Sequence, residues 1–228
     1  MTEILPTLAI IGGSGALGSG MTMRWAGKGY PIVIGSRSRD KAERVARTLK
    51  SSNAATPVRG MDNAAAAAAG DIVVITVPFA SHETILAQIK DAVAGKIVID
   101  TTVPLVPPEI TRVQLPPQGS AAQITQEILG PDVQVVSAFH HVSARKLQSQ
   151  VEIDCDVLVF ADKPSARETV ITLIAALSIR GLHGGPLANA AAAEALTSVL
   201  IGINRHYGVD AAGLRITGLN SPDSAGVA

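Results

Sequence analysis

The chain has 228 residues, of which 47% are hydrophobic and only 3% are aromatic, so its core must be built of small aliphatic side chains. Its 19 Lys and Arg residues balance its 19 Asp and Glu residues. The resulting zero net charge excludes the broad positive field of a protein that binds nucleic acid or an anionic membrane surface. An anionic ligand must therefore be held by a local cluster of cations.

The single cysteine, Cys155, has no partner for an internal disulfide and lies in an apolar run. We expect a buried, unreactive thiol and a reducing compartment, the cytoplasm. The amino terminus lacks the positive charge of a signal peptide, and no apolar stretch reaches the roughly 20 residues that a membrane span needs. We therefore expect a cytoplasmic protein without a membrane or nucleic-acid partner.

Short apolar runs alternate with helical stretches over residues 7–100. The runs occupy residues 8–11, 32–34, 72–77 and 97–99, and the stretches between them occupy residues 16–28, 39–50, 64–69 and 81–93. Because the runs are apolar on both faces, they are typical of parallel strands that helices cover from both sides. Ser81 is a candidate N-cap of one helix, and Asp62 or Asn63 of another. The pattern predicts an α/β fold with a doubly wound parallel (Rossmann) sheet.

The alternation is less regular after residue 100. Prolines in residues 103–117 predict a loop or a lid, because proline continues neither a helix nor a central strand. Further strands are expected at residues 135–139 and 157–160, and helices near 120–129, 164–178 and 187–206. We expect this carboxyl-terminal part to form a small lobe packed on the first domain.

A glycine-rich segment follows the first predicted strand and opens the first predicted helix. Its residues match the spacing G-x-G-x-x-G and are Gly13, Ser14, Gly15, Ala16, Leu17 and Gly18. In this context the glycines allow a tight turn, the close approach of a pyrophosphate and the packing of helix on sheet. The segment therefore predicts a dinucleotide site.

The end of the second predicted strand indicates which dinucleotide is bound. A site for NAD usually has Asp or Glu there, to accept a hydrogen bond from the ribose 2′-hydroxyl, but this chain has Gly35, Ser36 and Arg37. Ser36 can donate through its hydroxyl and Arg37 can hold a phosphate in a bidentate fork, while Arg39 and Lys41 add positive charge. We expect Arg44 and Arg47 to be solvated. The cluster predicts NADP as the cofactor.

Two further segments are candidates for the rest of the site. Pro78 stops the third long apolar run at the sheet edge where ligands bind, so Phe79 either packs in the core or flanks the nicotinamide ribose. His140 and His141 follow a predicted strand, but neighbouring residues diverge and no matching ligand accompanies them, which argues against a metal site. One of the two is a candidate polar contact to a bound ring, and the other is a candidate surface residue.

These motifs together resemble the NADPH-dependent deazaflavin-coenzyme reductases, also called F(420):NADP oxidoreductases. The resemblance runs from about residue 7 to about residue 219. It is carried by the motifs at residues 13–18, 35–41, 76–79, 137–140, 185–189 and 213–216.

The resemblance implies a dinucleotide-binding domain over residues 1–145 and a small lobe over residues 146–228 that closes the cofactor cleft. It implies reversible hydride transfer between C4 of NADPH and C5 of coenzyme F(420), an 8-hydroxy-5-deazaflavin. The glycine loop would meet the pyrophosphate, Ser36, Arg37 and Lys41 the 2′-phosphate, Phe79 and Ala144 the nicotinamide end, and His140 the deazaflavin. The resemblance also favours a homodimer.

Two other functions are compatible with the same dinucleotide site. One is an NADP-dependent reductase of another small substrate, such as an imine, a carbonyl compound or a flavin. The other is a redox sensor that binds NADP without catalysis. The absence of a recognisable triad, paired-carboxylate motif or metal cluster agrees with direct hydride transfer between bound rings, which requires orientation and no nucleophile.

Overall fold

The computed structural model describes residues 4–50, 56–149 and 151–219, which form an eight-stranded sheet with helices on both faces. The strands are β1 (Leu8–Ile11), β2 (Ile32–Ser36), β3 (Val58–Asp62), β4 (Ile72–Ile75), β5 (Ile97–Asp100), β6 (Gln134–Ser137), β7 (Asp156–Phe160) and β8 (Arg180–Gly185). The α-helices are α1 (Ala16–Gly27), α2 (Arg39–Lys50), α3 (Asn63–Ala69), α4 (His82–Ile89), α5 (Ala121–Leu129), α6 (Ala144–Gln148), α7 (Pro164–Ala175) and α8 (Ala190–Tyr207).

The strand order is β3-β2-β1-β4-β5-β6-β7-β8. The first six strands are parallel, β7 runs antiparallel to β6, and β8 runs parallel to β7. Order 3-2-1-4-5-6 is that of the doubly wound dinucleotide fold, in which the strand order reverses between β1 and β4 and leaves a crevice there. The predicted fold class is confirmed.

Alternate strand residues enter two separate cores, one on each face of the sheet. Leu8 and Ile10 of β1 pack with Trp25 of α1 on one face, whereas Ala9 and Ile11 pack on the other. The first core is completed by residues of α2 and α7, and the second by residues of α3, α4, α5 and α8. Burial on both faces explains why these strands are continuously apolar.

The six central strands lie where the apolar runs predict them, and the two edge strands were not predicted. The third run is shorter than expected, because β4 ends at Ile75 and Thr76 and Val77 lie beyond it. The missed strands, β3 and β8, are mostly half-buried or exposed, so they carry polar residues and glycines in place of an apolar run. The short helix α6 was also missed.

The helix ends agree with the predicted capping, with one exception. Asp62 caps α3, accepting from the backbone N–H of Ala65 at 2.9 Å, as expected for one of the two candidate residues. Ser81 occupies the predicted N-cap position, directly before α4, but it ends a 3-10 turn over Phe79–Ser81 and its side chain makes no capping hydrogen bond. The predicted helix over residues 81–93 is instead this turn, α4, and a second 3-10 turn at Lys90–Ala92.

The carboxyl-terminal part adds β7 and β8 to the same sheet and places α8 across its second face. Glu194 of α8 is 1% exposed and accepts from the backbone N–H groups of Ala121 and Ala122, at 2.6 and 3.1 Å. Its carboxyl group therefore accepts from two of the free N–H groups at the amino-terminal end of α5, which holds α8 against α5. The division into domains at residue 145 stays a prediction, as does a lid role for residues 103–117, which form neither helix nor strand.

One described segment, Leu187–Tyr207, is long and apolar enough to cross a membrane by length and composition alone. The expectation that no such stretch exists was therefore wrong. The alanines of this helix contribute to its apolar composition. A core helix of a soluble protein passes the same test. Here the buried side of α8 carries Glu194 and Ser198 among its residues.

Cys155 is buried and free, as the sequence predicts. Burial raises the pKa of its thiol, and the carboxylates of Asp154 and Asp156 act in the same direction, against the cations Lys146 and Arg215. Since the thiolate is the reactive form, a raised pKa and burial both disfavour reaction of this thiol.

Close contact between β3 and α2 depends on Gly60. A Cβ atom there would lie 2.3 Å from the backbone carbon of Ala42 and 2.3 Å from the backbone nitrogen of Glu43. We predict that Gly60→Ala lowers the free energy of unfolding by about 2 kcal/mol or more, because backbone has to move. Gly27→Ala is the matched control: a Cβ there meets nothing within 4 Å, and alanine should raise stability by about 0.5–1 kcal/mol. Urea denaturation of both variants measures the contrast; equal stabilities would contradict it.

Candidate functional site

A cleft of about 280 Å³ opens at the carboxyl edge of the parallel strands, where β1, β2 and β4 end. This is the edge at which doubly wound sheets bind their ligands. The residues that line it are Gly12, Ser14, Gly15, Ser36, Arg37, Ser38, Lys41, Asn63, Thr76, Val77, Pro78, Ser81 and Ile85. The cleft thus joins the glycine loop, the predicted phosphate cluster and the end of β4.

The glycine loop passes so close to neighbouring backbone that side chains would not fit. Gly12 has φ +81° and a Cβ atom there would lie 2.9 Å from the carbonyl oxygen of Thr76. A Cβ at Gly13 would lie 2.9 Å from the carbonyl oxygen of Ile10, and one at Gly18 would lie 2.6 Å from Cα of Gly13. These contacts leave a bare backbone surface at the start of α1.

The start of α1 suits an anion. Its N-cap residue, Gly15, supplies no capping side chain, and no acidic residue stands in the first turn. The free N–H groups and the helix dipole therefore favour a negative group at this point. Of the predicted loop residues, Ser14 and Gly15 line the cleft, Gly13 and Gly18 are buried beneath it, Ala16 is exposed and Leu17 is half-buried.

The predicted phosphate cluster lies on one side of the cleft. Ser36 is 8% exposed at the end of β2, while Arg37 and Lys41 are exposed. In the described part of the chain, the side chains of Arg37 and Lys41 have neither an ion-pair nor a hydrogen-bond partner. Arg39 differs, because its Nε lies 2.8 Å from Oε1 of Glu43. Two unpaired cations and a hydroxyl therefore face the cleft, and Arg39 adds less charge than expected.

Asn63 lines the cleft, although the sequence indicated it only as a possible cap. It is 4% exposed, and its amide nitrogen donates to Oε1 of Gln88 at 3.3 Å. Its Oδ1 is buried without a hydrogen-bond partner in the described residues. A neighbouring cleft of about 390 Å³ lies between the end of β2 and the start of α3, lined by Ser36, Arg37, Asp62, Asn63, Ala64 and Gln88. A polar ligand bound at Arg37 could therefore extend from the first cleft into this neighbouring cleft.

The end of β4 supplies the far side of the cleft. Thr76 donates from Oγ1 to the carbonyl oxygen of Ile11 at 2.9 Å, which ties β4 to β1 beyond their last paired residues. Pro78 is exposed and lines the cleft, and Phe79 follows it, half-buried. The Phe79 ring lies against the ring of His82, with centroids 6.1 Å apart and planes 29° from parallel. Phe79 is therefore anchored by His82 and partly exposed, but it is not among the residues that line the cleft.

The two adjacent histidines are buried and neutral. His140 is 8% exposed, with Nε2 2.8 Å from Oγ of Ser137. Its pKa is lowered to about 3, chiefly by burial and then by the neighbouring His141, while Asp100 acts in the opposite direction. His141 donates from Nε2 to the carbonyl oxygen of Ala193 at 2.7 Å, and burial lowers its pKa as well. Neither histidine is the surface residue that one of them was predicted to be.

His140 and His141 line a second cleft, of about 170 Å³, with residues of α8. Ser143 lines it too and caps α6, whose first residue, Ala144, is half-buried. The structure therefore does not place His140 and Ala144 on the wall of the first cleft. Phe139, by contrast, is core: it packs edge-on against Trp25, with centroids 5.9 Å apart.

Helix α6 connects the second group of residues to the glycine loop. It lies against α1 at Gly20, where a Cβ atom would be 2.7 Å from Cβ of Leu147. Gln148 donates to Oγ of Ser19 at 2.9 Å, and Arg24 donates to four carbonyl groups at and after the end of α6. The segment that carries Ala144 is thus fixed to the helix that begins at the glycine loop.

A buried polar cluster behind Phe79 was not predicted. His82 Nε2 lies 2.8 Å from Oδ2 of Asp100, and Thr125 donates to the same oxygen at 2.5 Å. The N–H of Thr102 donates to Oδ1 of Asp100 at 2.9 Å. Burial raises the pKa of Asp100, but His82 and the hydrogen bonds outweigh it, so the pKa lies below its usual value. The available signal was a carboxylate at the end of an otherwise aliphatic strand.

Comparisons with known proteins agree with this architecture. Residues 7–104 match the family model described as NADP oxidoreductase, coenzyme F420-dependent. The F420-dependent NADP reductase of Methanocaldococcus jannaschii is 36% identical over 93% of this chain and 98% of its own length. That of Methanothermobacter thermautotrophicus is 36% identical over 93% of this chain and 95% of its own. The chain belongs to the F420-dependent NADP reductase family.

A solved structure extends the agreement to the fold. The crystal structure of a candidate F420-dependent NADP reductase from Arthrobacter sp. FB24 has a TM-score of 0.80 and 23% identity, covering 93% of this chain and 99% of that one. The fold of this F420-dependent NADP reductase family member therefore includes the part after residue 145, and not only the dinucleotide crevice.

The unpaired Arg37 gives a test of the phosphate cluster. We predict that Arg37→Ala weakens NADPH binding by about 1.5–3 kcal/mol, the usual worth of a charge-assisted hydrogen bond, and leaves NADH binding nearly unchanged. Arg44→Ala is the matched control, because Arg44 is exposed on α2, the helix that follows Arg37, but lies outside the cleft lining. Titration of nicotinamide fluorescence gives both dissociation constants. Equal weakening of NADPH and NADH would show that Arg37 does not contact the 2′-phosphate.

Proposed function

We propose that this chain catalyses reversible hydride transfer between NADPH and coenzyme F420, an 8-hydroxy-5-deazaflavin. The observation that carries the proposal is the similarity along nearly the whole chain to proteins named F420-dependent NADP reductases. In the balanced reaction, NADPH, oxidised F420 and a proton give NADP+ and reduced F420. When both coenzymes are bound, the hydride passes directly between C4 of the nicotinamide and C5 of the deazaflavin.

The cleft residues fit NADP. The glycine loop, Gly13 to Gly18, offers bare backbone and the amino-terminal end of α1 to the pyrophosphate. Ser36, Arg37 and Lys41 would hold the 2′-phosphate, since both cations are free and no carboxylate follows Ser36 directly. Pro78, which lines the cleft at the end of β4, and Phe79, which follows it, would then meet the nicotinamide end.

The second group of residues would meet the deazaflavin. His140 is held neutral by burial and is joined to Ser137, so it offers a fixed polar contact and does not donate a proton as an imidazolium. Ala144, which the family resemblance assigns to the nicotinamide end, starts a helix that is fastened to α1, although it does not line the first cleft. The task of these residues is to hold two rings at near-attack distance and to exclude water.

The test is a direct assay. Purified protein mixed with NADPH and oxidised F420 should bleach the visible absorbance of F420. We predict that His140→Ala lowers kcat by about tenfold without abolishing turnover, since one polar contact contributes about 1–1.5 kcal/mol. His183→Ala is the control, because His183 is exposed on β8 and lines neither cleft, and this variant should react as the wild type does. A chain that binds NADPH but leaves F420 oxidised would refute the proposal and favour another reductase substrate or a redox sensor.

We also propose that the protein is a cytoplasmic homodimer that pairs through α8. Val199, Ile203 and Tyr207 stand one turn apart on this helix and are 45%, 37% and 71% exposed. Residues 103–117 lie beside the helix at Gly202 and expose Val106, Val113 and Leu115. A second copy of the chain is the occupant proposed for this apolar surface, since α8 of each copy would cover that of the other.

A single charge on this surface tests the dimer. We predict that Ile203→Asp converts the protein to a monomer, because a buried, unpaired carboxylate is costly at a two-fold interface. Ile4→Asp is the matched control, since Ile4 is 95% exposed and lies far from α8 in the chain. Light scattering after gel filtration gives the mass of each variant. A wild-type protein that is already monomeric at micromolar concentration would refute the proposal.

A further inference from the structure

Phe79 directly follows Pro78, which lines the cleft; Phe79 itself is half-buried, and its position depends on a residue behind it. It begins a three-residue 3-10 turn directly after Pro78, which lines the cleft. Such a short turn orients a side chain weakly, so the ring needs support from elsewhere. The support is the near-parallel ring of His82, whose side chain is fully buried. Offset ring pairs at this separation are attractive.

His82 is itself fixed from behind. Its Nε2 lies 2.8 Å from Oδ2 of Asp100 and 2.9 Å from Oγ1 of Thr125. Asp100 is the last residue of β5 and Thr125 lies in α5, so three elements meet at one carboxylate. His82, Asp100 and Thr125 are each at most 1% exposed. On the other side of the ring, Nδ1 has no hydrogen-bond partner in the described chain, so these contacts and the Phe79 stack alone orient it.

The location of Phe79 and of the residues behind it, His82, Asp100 and Thr125, indicates which part of the ligand Phe79 contacts. In a sheet of order 3-2-1-4-5-6, one nucleotide half lies over β1 to β3 and the other over β4 to β6. The phosphate cluster at the end of β2 belongs to the first half. Phe79 follows β4 and Asp100 ends β5, so both belong to the second half. For a dinucleotide bound by its 2′-phosphate at Arg37, the second half is the nicotinamide ribose and ring.

We propose that His82, held by Asp100 and Thr125, is a positioning residue that fixes Phe79 against the nicotinamide end of NADPH. The identity of the ligand rests on the proposed function. A buried carboxylate with three donors is rigid, because moving His82 would leave Asp100 short of a partner in a buried site. The His82 ring is therefore held rigidly, and it fixes the position of the Phe79 ring that contacts the nicotinamide.

The first experiment compares two ligands. His82→Gln keeps an N–H donor for Asp100 but removes the ring. We expect it to weaken NADPH binding by roughly fivefold and to leave the binding of 2′-phospho-ADP-ribose unchanged, because that ligand lacks the nicotinamide. Phe79→Leu should give the same pattern. A structural defect that distorts the whole site would weaken both ligands alike, and that result would overturn the inference.

The second experiment tests whether His82 acts through Phe79. In the double variant Phe79→Leu with His82→Gln, NADPH binding should be no weaker than in Phe79→Leu alone. Losses that multiply would show that His82 contributes independently, and would overturn the inference. Both experiments measure ligand binding without F420. A wild-type chain that binds neither ligand would overturn both the inference and the proposed function. If the variants weaken only NADPH binding, while the wild type leaves F420 oxidised, the inference is supported and the proposed function is refuted.

An isosteric pair keeps the inference testable if His82→Gln does not fold. Thr125→Val removes the hydroxyl that holds Asp100, so it should weaken NADPH binding and spare 2′-phospho-ADP-ribose. Thr22→Val is the matched control: Thr22 is 0% exposed in α1, and its hydroxyl has no hydrogen-bond partner in the described residues. We expect Thr22→Val to bind both ligands as the wild type does. Indistinguishable behaviour of the two valine variants would overturn the inference.

Discussion

The close approach of three backbone segments at the glycine loop is the constraint on which the rest of the structure depends. A Cβ at Gly12 would strike Thr76, one at Gly13 would strike the end of β1, and one at Gly18 would strike Gly13. These contacts bring the start of α1 and the end of β4 to one point above β1. The anion-binding end of α1, the crevice beside it and the entry to the turn that carries Phe79 all follow from this packing.

Small residues also allow close packing within the sheet and between the sheet and its helices. A Cβ at Gly35 would lie 2.7 Å from Cδ1 of Ile11, and one at Gly70 would lie 2.5 Å from Cβ of Ala9. The alanine helix α3 is packed on the second face at this place, through Ala66 and Ala67. Large side chains at these positions would push α3 off the sheet, so the packing here requires small residues.

The sequence predicted the buried features of the fold and missed those at its margins. The six central strands are apolar on both faces, and short runs of this kind are typical of a parallel sheet that helices cover on both sides. The edge strands β3 and β8 face solvent along much of their length, so Arg59, Gly60, Arg180 and Gly181 carry no strand signal. Long-range pairing, which aligns β3 with β2 and β8 with β7, decides their conformation.

The candidate site likewise has a part that the sequence predicts and a part that it does not. The glycine loop and the phosphate cluster are local in sequence, so their residues could be named from the sequence alone. The unit of His82, Asp100 and Thr125 joins three elements separated by 18, 25 and 43 positions, and no local pattern connects them. A polar residue at the end of an apolar strand is the only trace that such a unit leaves in a sequence.

The chemistry of the site follows from what burial does to its ionisable groups. Burial lowers the pKa of His140 to about 3 and lowers that of His141, while it raises the pKa of Glu194 to about 8, against the two amides that hold its carboxylate. Asp100 keeps its charge because His82 and two hydroxyl or amide donors surround it. Around the second cleft the histidines are thus uncharged at neutral pH. A hydride carries its own electron pair to carbon, so its transfer needs no acid or base at the reacting atoms. A site for hydride transfer therefore gains more from neutral residues that hold the two rings in a fixed position. The buried polar groups here serve to keep such residues in place.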